Sequence, residues 1–195
     1  MELNNALKIA NGVMDILLPL CVADRIHIAG SCRRGKPEVK DIEICCLPQI
    51  FVTKDMFGDT ANTVRVSGFS IAVKSLGNVV KGKPDGKMMQ IELPEGIMLD
   101  LFMPDNFDYF RQYAIRTGSS DYSFRVIANG WREIGWCGSD VGLRKTADCI
   151  GRRSDDGKTK WRCVNANAEH PPAWKSEEEF FDWIRVEWIR PQDRE

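Results

Sequence analysis

The run Asp41-Ile42-Glu43-Ile44-Cys45-Cys46-Leu47 constrains this chain more than any other segment. Its β-branched residues predict a strand over 41–47. Successive strand side chains point to opposite faces, so Asp41 and Glu43 share one face, about 7 Å apart, and Ile42 and Ile44 share the other. Two carboxylates amid apolar neighbours repel each other and lose hydration, which favours a cation between them. Mg2+, a hard oxygen-seeking ion, suits that donor set. A solvated strand edge is the alternative. A third acid, Asp100, interrupts the apolar run Ile97-Met98-Leu99-Asp100-Leu101-Phe102. Set on a neighbouring strand it would complete a three-carboxylate cluster, able to hold two Mg2+ ions across an in-line phosphoryl displacement. On an edge strand it would face water.

The segment Gly30-Ser31-Cys32-Arg33-Arg34-Gly35 precedes the paired acids. A Gly-Ser turn offers backbone N–H groups and a hydroxyl to phosphate oxygens, and Arg33 and Arg34 add guanidinium forks of matching geometry. Ser31 is also suited to cap a short helical turn. Apolar residues at helical spacing predict an amphipathic helix over 3–18, stopped by Pro19, and another over 69–80. Strands are expected at 25–29, 88–93 and 97–103, the last two joined by the turn Pro94-Glu95-Gly96. Helices are expected at 106–115 and 121–134. Short strands and turns follow, including Asp155-Asp156-Gly157. A last helix covers 176–185, with Ser176 and Glu179 spaced as a capping box. The pattern predicts an α+β fold with a smaller C-terminal lobe.

The 195 residues carry 27 Lys+Arg against 28 Asp+Glu, which excludes a strongly basic coat and leaves only local patches for binding a polyanion. No run approaches the roughly 20 apolar residues of a membrane span, and the start of the chain does not read as a secretory signal. Seven cysteines, an odd number, argue against a disulfide framework and for a reducing compartment such as the cytoplasm. Cys21, Cys32, Cys45 and Cys46 read as buried fillers. Cys137, Cys149, Cys163 and His170 lack the close pairs of a structural zinc site, and the expectation is against zinc.

Taken together, Gly-Ser-x-Arg-Arg-Gly, Asp41-x-Glu43, the strand ending Asp100-Leu101-Phe102, Arg116-Thr117-Gly118-Ser119 and the tail from Glu177 to Glu195 resemble the family X, polymerase-beta-like DNA polymerases of the nucleotidyltransferase superfamily. The likeness runs from Ile28 to the C-terminus, with little from 51–88 and 141–173. It implies a nucleotidyltransferase palm over 1–105, a mixed sheet flanked by helices, and a C-terminal nucleotide- and DNA-binding lobe over 106–195. It implies that Asp41, Glu43 and Asp100 bind two Mg2+ ions, which Mn2+ can replace, and that Asp100 takes the proton of a primer 3′-hydroxyl. Gly30, Ser31 and Arg34 would hold the triphosphate; Thr117, Gly118 and Ser119 would line the sugar; Asp121 would lie near the base. Arg125 would flank the nascent pair or sit solvated on its helix. The implied partners are a dNTP and a primer-template or gapped DNA, with no membrane, and a monomer is expected in the cytoplasm of a bacterium or phage-infected host.

Three departures stand out. Glu43 replaces the usual Asp. Ile115-Arg116 replaces an aromatic pair before Thr-Gly, which bears on ribose discrimination. The chain begins about 29 residues before the Gly-Ser motif, so no N-terminal lyase region is expected. Arg144, Lys145, Arg152, Arg153, Lys158, Lys160 and Arg162 form a basic strip that could track a phosphate backbone, or merely balance the acidic last helix. Trp183 and Trp188 read as core anchors rather than base-stacking residues. Short-gap filling in DNA repair is the expected activity. Transfer to RNA, a small molecule or a protein is the alternative, as is a non-catalytic nucleotide-binding module.

Overall fold

In the computed structural model, residues 1–54, 60–155, 157 and 159–195 are described. Asp156 of the expected turn and Lys158 of the basic strip lie outside the described residues. The chain is a mixed α+β protein. Helix α1 (Leu3–Leu17) buries Ala6, Ala10, Val13 and Leu17, an i, i+3, i+4 stripe, and a 3-10 turn through Pro19 ends it. Strand β1 (Cys21–Ile28) leads into the four-residue helix α2 (Gly30–Arg33). Ser31 lies inside α2, whose N-cap is Ala29, so the expected Ser31 cap does not form.

A five-stranded sheet, ordered β1-β2-β7-β6-β5, organises the first half of the chain. It contains β2 (Asp41–Pro48), β5 (Asn78–Gly82), β6 (Met88–Glu92) and β7 (Met98–Phe102). β6 and β7 form the expected antiparallel hairpin, and β7 runs parallel to β2. Helix α3 (Ser67–Ser75) stops short of residue 80. At Gly77 the backbone passes so close to β6 that a Cβ would stand 2.1 Å from the Glu92 carbonyl oxygen. Edge pairing with β6 therefore takes over where a helix was expected. A separate hairpin, β3 (Ile50–Lys54) and β4 (Thr60–Arg65), was not legible in the sequence.

Helix α4 (Tyr109–Thr117) starts later than expected because a turn at Asp105–Asp108 precedes it. The expected helix at 121–134 is a composite: α5 (Ser120–Tyr122), a π-helical segment (Ser123–Ile127) and α6 (Ala128–Glu133). A four-stranded sheet follows, ordered β10-β11-β8-β9, from β8 (Trp136–Ser139), β9 (Gly142–Lys145), β10 (Cys149–Arg153) and β11 (Thr159–Cys163). Helix α7 (Glu177–Trp183) begins with Ser176 accepting a hydrogen bond from the Glu179 N–H, as the capping spacing predicts. Among the described residues no helix is long and apolar enough to cross a membrane, and all seven cysteines are free.

Two cores sandwich the sheet. One lies under α1 and α3 and takes Ile42, Ile44, Leu99 and Leu101. The other joins Ala29, Cys45 and Phe102 to Tyr109, Tyr113, Trp131, Trp174, Phe180 and Phe181, so the C-terminal half packs directly on the first. Trp183 and Trp188 are partly buried against this second core, as expected of anchors.

Glu177, 4% exposed, fastens the C-terminal tail to α2. It accepts paired hydrogen bonds from Arg33 (2.9 and 2.8 Å) and from the fully buried Arg194 (2.9 and 3.2 Å), and a further one from the Trp188 indole (2.8 Å). Burial alone would raise its pKa, but the hydrogen bonds and charges of Arg33 and Arg194 outweigh that and hold the carboxyl down at about 2. A depressed folded-state pKa contributes stability that is full above the unfolded value and lost as pH falls. Going from an ordinary 4.5 to about 2 corresponds to about 3 kcal/mol. Chemical denaturation of the wild type should therefore lose about that much between pH 4.5 and 2. Glu177→Gln should be less stable at pH 7 and lack that component of the acid dependence; an unchanged pH profile would refute this account.

Candidate active site

The parallel pairing of β2 and β7 sets Glu43 directly beside Asp100 and Asp41 beside Met98. Residues two apart on β2 share a face, and so do lateral partners, so Asp41, Glu43 and Asp100 all lie on one face. All three are half-buried. The expectation that a neighbouring strand brings the third acid to the first two is met. Burial first, then the charges of Asp41 and Asp100, push the Glu43 carboxyl up to about 7, against the opposing pull of Arg116 and Arg34. Among the described residues, however, no three His, Cys, Asp or Glu side chains are arranged to hold a metal ion. The acids share a face without being drawn around a common point.

The Gly30 turn closes one side of this face. The Ala29 N–H donates to the Glu43 carbonyl oxygen at 2.8 Å. Gly30 has φ +63°, and a Cβ there would lie 1.9 Å from Glu43 Oε2. Only glycine lets the carboxylate lean against the turn. Ser31 Oγ and Arg34 Nε are both buried without a hydrogen-bond partner. Arg116 Nε beside the same face is likewise buried without a partner, as are Arg25 Nε and the Trp174 indole nitrogen elsewhere. Arg34 Nη1 donates to the Thr117 carbonyl oxygen, which aims the guanidinium along the site.

Arg33 is engaged within the protein. Its guanidinium is spent on Glu177, donates to Thr117 Oγ1 at 2.6 Å and lies 3.9 Å above the Tyr113 ring. Thr117 is fully buried, and its hydroxyl donates to the Tyr113 carbonyl, so its side chain is not available to line a sugar. Ser119 caps α5 by accepting from the Tyr122 N–H. Gly118 does line a cavity of about 530 Å³, together with Arg34, Glu43, Arg116, Phe124 and Trp131. Asp121 and Arg125 pair with each other at 2.9 Å on the exposed surface, the solvated alternative for Arg125.

Three residues of this neighbourhood escaped the sequence reading. Gln90, opposite Asp100 on β6, donates to Asp100 Oδ1 at 2.9 Å and fixes that carboxylate. It is a polar residue between buried Met89 and Ile91, the same signal that singled out Asp100. Arg116, given no role of its own in the sequence reading, places its guanidinium 4.1 Å above the Phe102 ring and lines the cavity. Phe124 lines the cavity too while 60% exposed, and nothing in the sequence distinguishes it from a core residue.

The basic strip divides. Arg152 pairs across the hairpin with Lys160, and Ile150 with Arg162, so Arg152, Lys160 and Arg162 share one exposed face. Arg153 lies on the other face, so the two adjacent arginines do not track one backbone. Arg144 is buried, donating to the Leu143 carbonyl, and leaves the strip. Lys145 is paired with Glu169.

No protein-family model matches the chain, and no curated protein matches it either.

The close approach at Gly30 is testable against Gly96, which has a similar φ of +75° but no atom within 4 Å of a Cβ. Gly96→Ala should cost only the left-handed backbone penalty, about 1–2 kcal/mol. Gly30→Ala should cost clearly more in urea denaturation, because Glu43 must also move. Equal costs would show that Glu43 yields freely.

Proposed function

We propose that this protein is a nucleotidyltransferase of the family X, polymerase-beta-like type, adding dNMP units to a DNA primer 3′-end with release of pyrophosphate, in short-gap filling. The observation that carries the reading is the adjacency of three same-face carboxylates to a Gly-Ser turn with two buried, unpartnered polar atoms, Ser31 Oγ and Arg34 Nε. Acids that crowd one another next to a turn prepared for oxygen ligands are what metal-assisted phosphoryl transfer requires. The sequence resemblance supports the same reading.

Asp41, Glu43 and Asp100 would hold Mg2+; their all-oxygen donor set and mutual crowding fit a hard divalent cation. When bound, Mg2+ would neutralise charge on the transferring phosphoryl group. The chain's own residues do the rest. Ser31 and Arg34 hold the triphosphate with their spare donors. The cavity beside Glu43 receives the nucleoside, with Phe124 and Trp131 offering ring surfaces to the base. The primer 3′-oxygen attacks the α-phosphorus in line, a new P–O bond forms, and the bond to the bridging oxygen breaks to release pyrophosphate. Gln90 occupies Oδ1 of Asp100, leaving Oδ2 to accept the hydroxyl proton. Arg152, Lys160 and Arg162 present the basic face for DNA phosphates.

Primer extension on gapped, nicked and single-stranded DNA with each dNTP or NTP tests the reading. Asp41→Asn or Asp100→Asn should reduce incorporation at least about 1,000-fold while fluorescence anisotropy shows DNA binding nearly unchanged. Arg34→Ala should act mainly through nucleotide binding, raising KM for the dNTP about tenfold or more. Label transferred only to RNA, or to no nucleic acid, would displace DNA as the acceptor. Unaltered incorporation by either Asn variant would refute the carboxylate site.

A further inference from the structure

The C-terminal sheet gathers three thiols that the proposed reaction does not use. Cys149 and Cys163 are directly opposite each other on antiparallel β10 and β11. The Val164 N–H donates to the Asp148 carbonyl oxygen at 2.9 Å, so Asp148 and Val164 form the hydrogen-bonded pair. Cys149 and Cys163 are then the adjoining non-hydrogen-bonded pair, in which side chains stand closest. The Thr146 N–H donates to the Gly135 carbonyl at 2.8 Å, returning the chain to the start of β8, where Cys137 lies. The Cys149 thiol thereby neighbours both the Cys137 and the Cys163 thiols, and the Cys163 thiol donates to the Asn165 carbonyl oxygen at 3.5 Å. Cys137 is buried, while Cys149 and Cys163 are partly exposed and leave an approach from solvent.

We propose that Cys137, Cys149 and Cys163 form a binding site for a thiophilic divalent metal, Zn2+, that ties β8, β10 and β11 together. Three sulfurs on adjoining strands are a soft donor set, which selects zinc over the hard ion suited to the carboxylate face. Water fills the fourth position, since His170 Nε2 is engaged by Arg144 Nη2 at 3.4 Å. Arg144 is the cross-strand partner of Cys137 on β9. Uptake of Zn2+ would release three thiol protons and leave a complex of net charge −1, beside the buried Arg144 guanidinium. Without the ion the three sulfurs, like every other trio of such groups among the described residues, are not arranged around one point. Neutral thiols have no charge to draw them together; ionised around a cation, they are drawn in by rotation about each Cα–Cβ bond.

A purely packing role fits less well. Two of the thiols are partly exposed, which interior fillers are not. The location also has a consequence. Cys137, Thr159 and Trp161 line a groove of about 480 Å³ that shares Phe124 and Trp131 with the cavity beside Glu43. A metal there would steady the hairpin that carries Arg152, Lys160 and Arg162.

Titration of the fully reduced full-length protein with Co2+ tests this independently of any catalytic activity. The expected result is one Co2+ per chain, with sulfur-to-cobalt charge-transfer absorption and the visible bands of tetrahedral cobalt, both erased by added Zn2+. Cys149→Ser and Cys163→Ser should weaken binding at least about 100-fold. Cys21→Ser, outside the cluster, should leave it unchanged, and far-UV circular dichroism reports whether each variant is folded. Absence of the charge-transfer band in reduced wild type, or bands that persist in folded Cys149→Ser, would overturn the proposal. So would a Cys149–Cys163 disulfide that mass spectrometry still finds after reduction.

Discussion

The parallel register of β2 against β7 is the constraint from which the site follows. It sets Glu43 beside Asp100, with Asp41 two residues back on the same face. A shift of one residue would turn one strand's acids to the opposite face, into the core under α1 and α3, where unpaired carboxylates are costly. The interleaved Ile42, Ile44, Leu99 and Leu101, each fully buried, supply the apolar burial that holds the register. The same alternation that builds one core thus exposes the acids on the other side, where the C-terminal half packs around rather than over them.

That packing depends on one anion. Glu177, at the start of α7, is clasped between Arg33 of α2 and Arg194 near the C-terminus. Arg33 in turn reaches Thr117 at the end of α4, where Arg34 also bonds the backbone. The Gly30 turn, the end of α4 and the tail are therefore linked through a single buried carboxylate. Removing one partner of such a cluster leaves uncompensated buried charge, a larger loss than a surface ion pair could cause.

Much of this was readable from residues alone. A run rich in Ile and Cys announced β2, two apolar runs about a Pro-Glu-Gly turn announced β6 and β7, and acids out of place in apolar strands announced the carboxylate face. Helical periodicity located α1, and the Ser176–Glu179 spacing located α7. The failures share a cause: long-range pairing overrode local pattern. Gly77 admitted β6 so closely that Val79 and Val80 joined an edge strand instead of extending α3. Arg33 and Arg34 are neighbours of like chemistry, yet one is consumed by a residue 144 positions away and the other is left facing the cavity. Thr117, which reads as a ligand contact, spends its hydroxyl inside the protein.

What the sequence determined by itself is the set of faces: which side chains share one side of a strand or helix, because backbone periodicity depends only on local geometry. It likewise settled the supply of oxygen, guanidinium and thiol groups. Tertiary structure alone decided which of those groups remain free. That depended on partners brought from distant segments: Glu177 for Arg33, Gln90 for Asp100, and Cys137 and Cys163 for Cys149. A side chain's availability is a property of its neighbours in space, and no local rule encodes them.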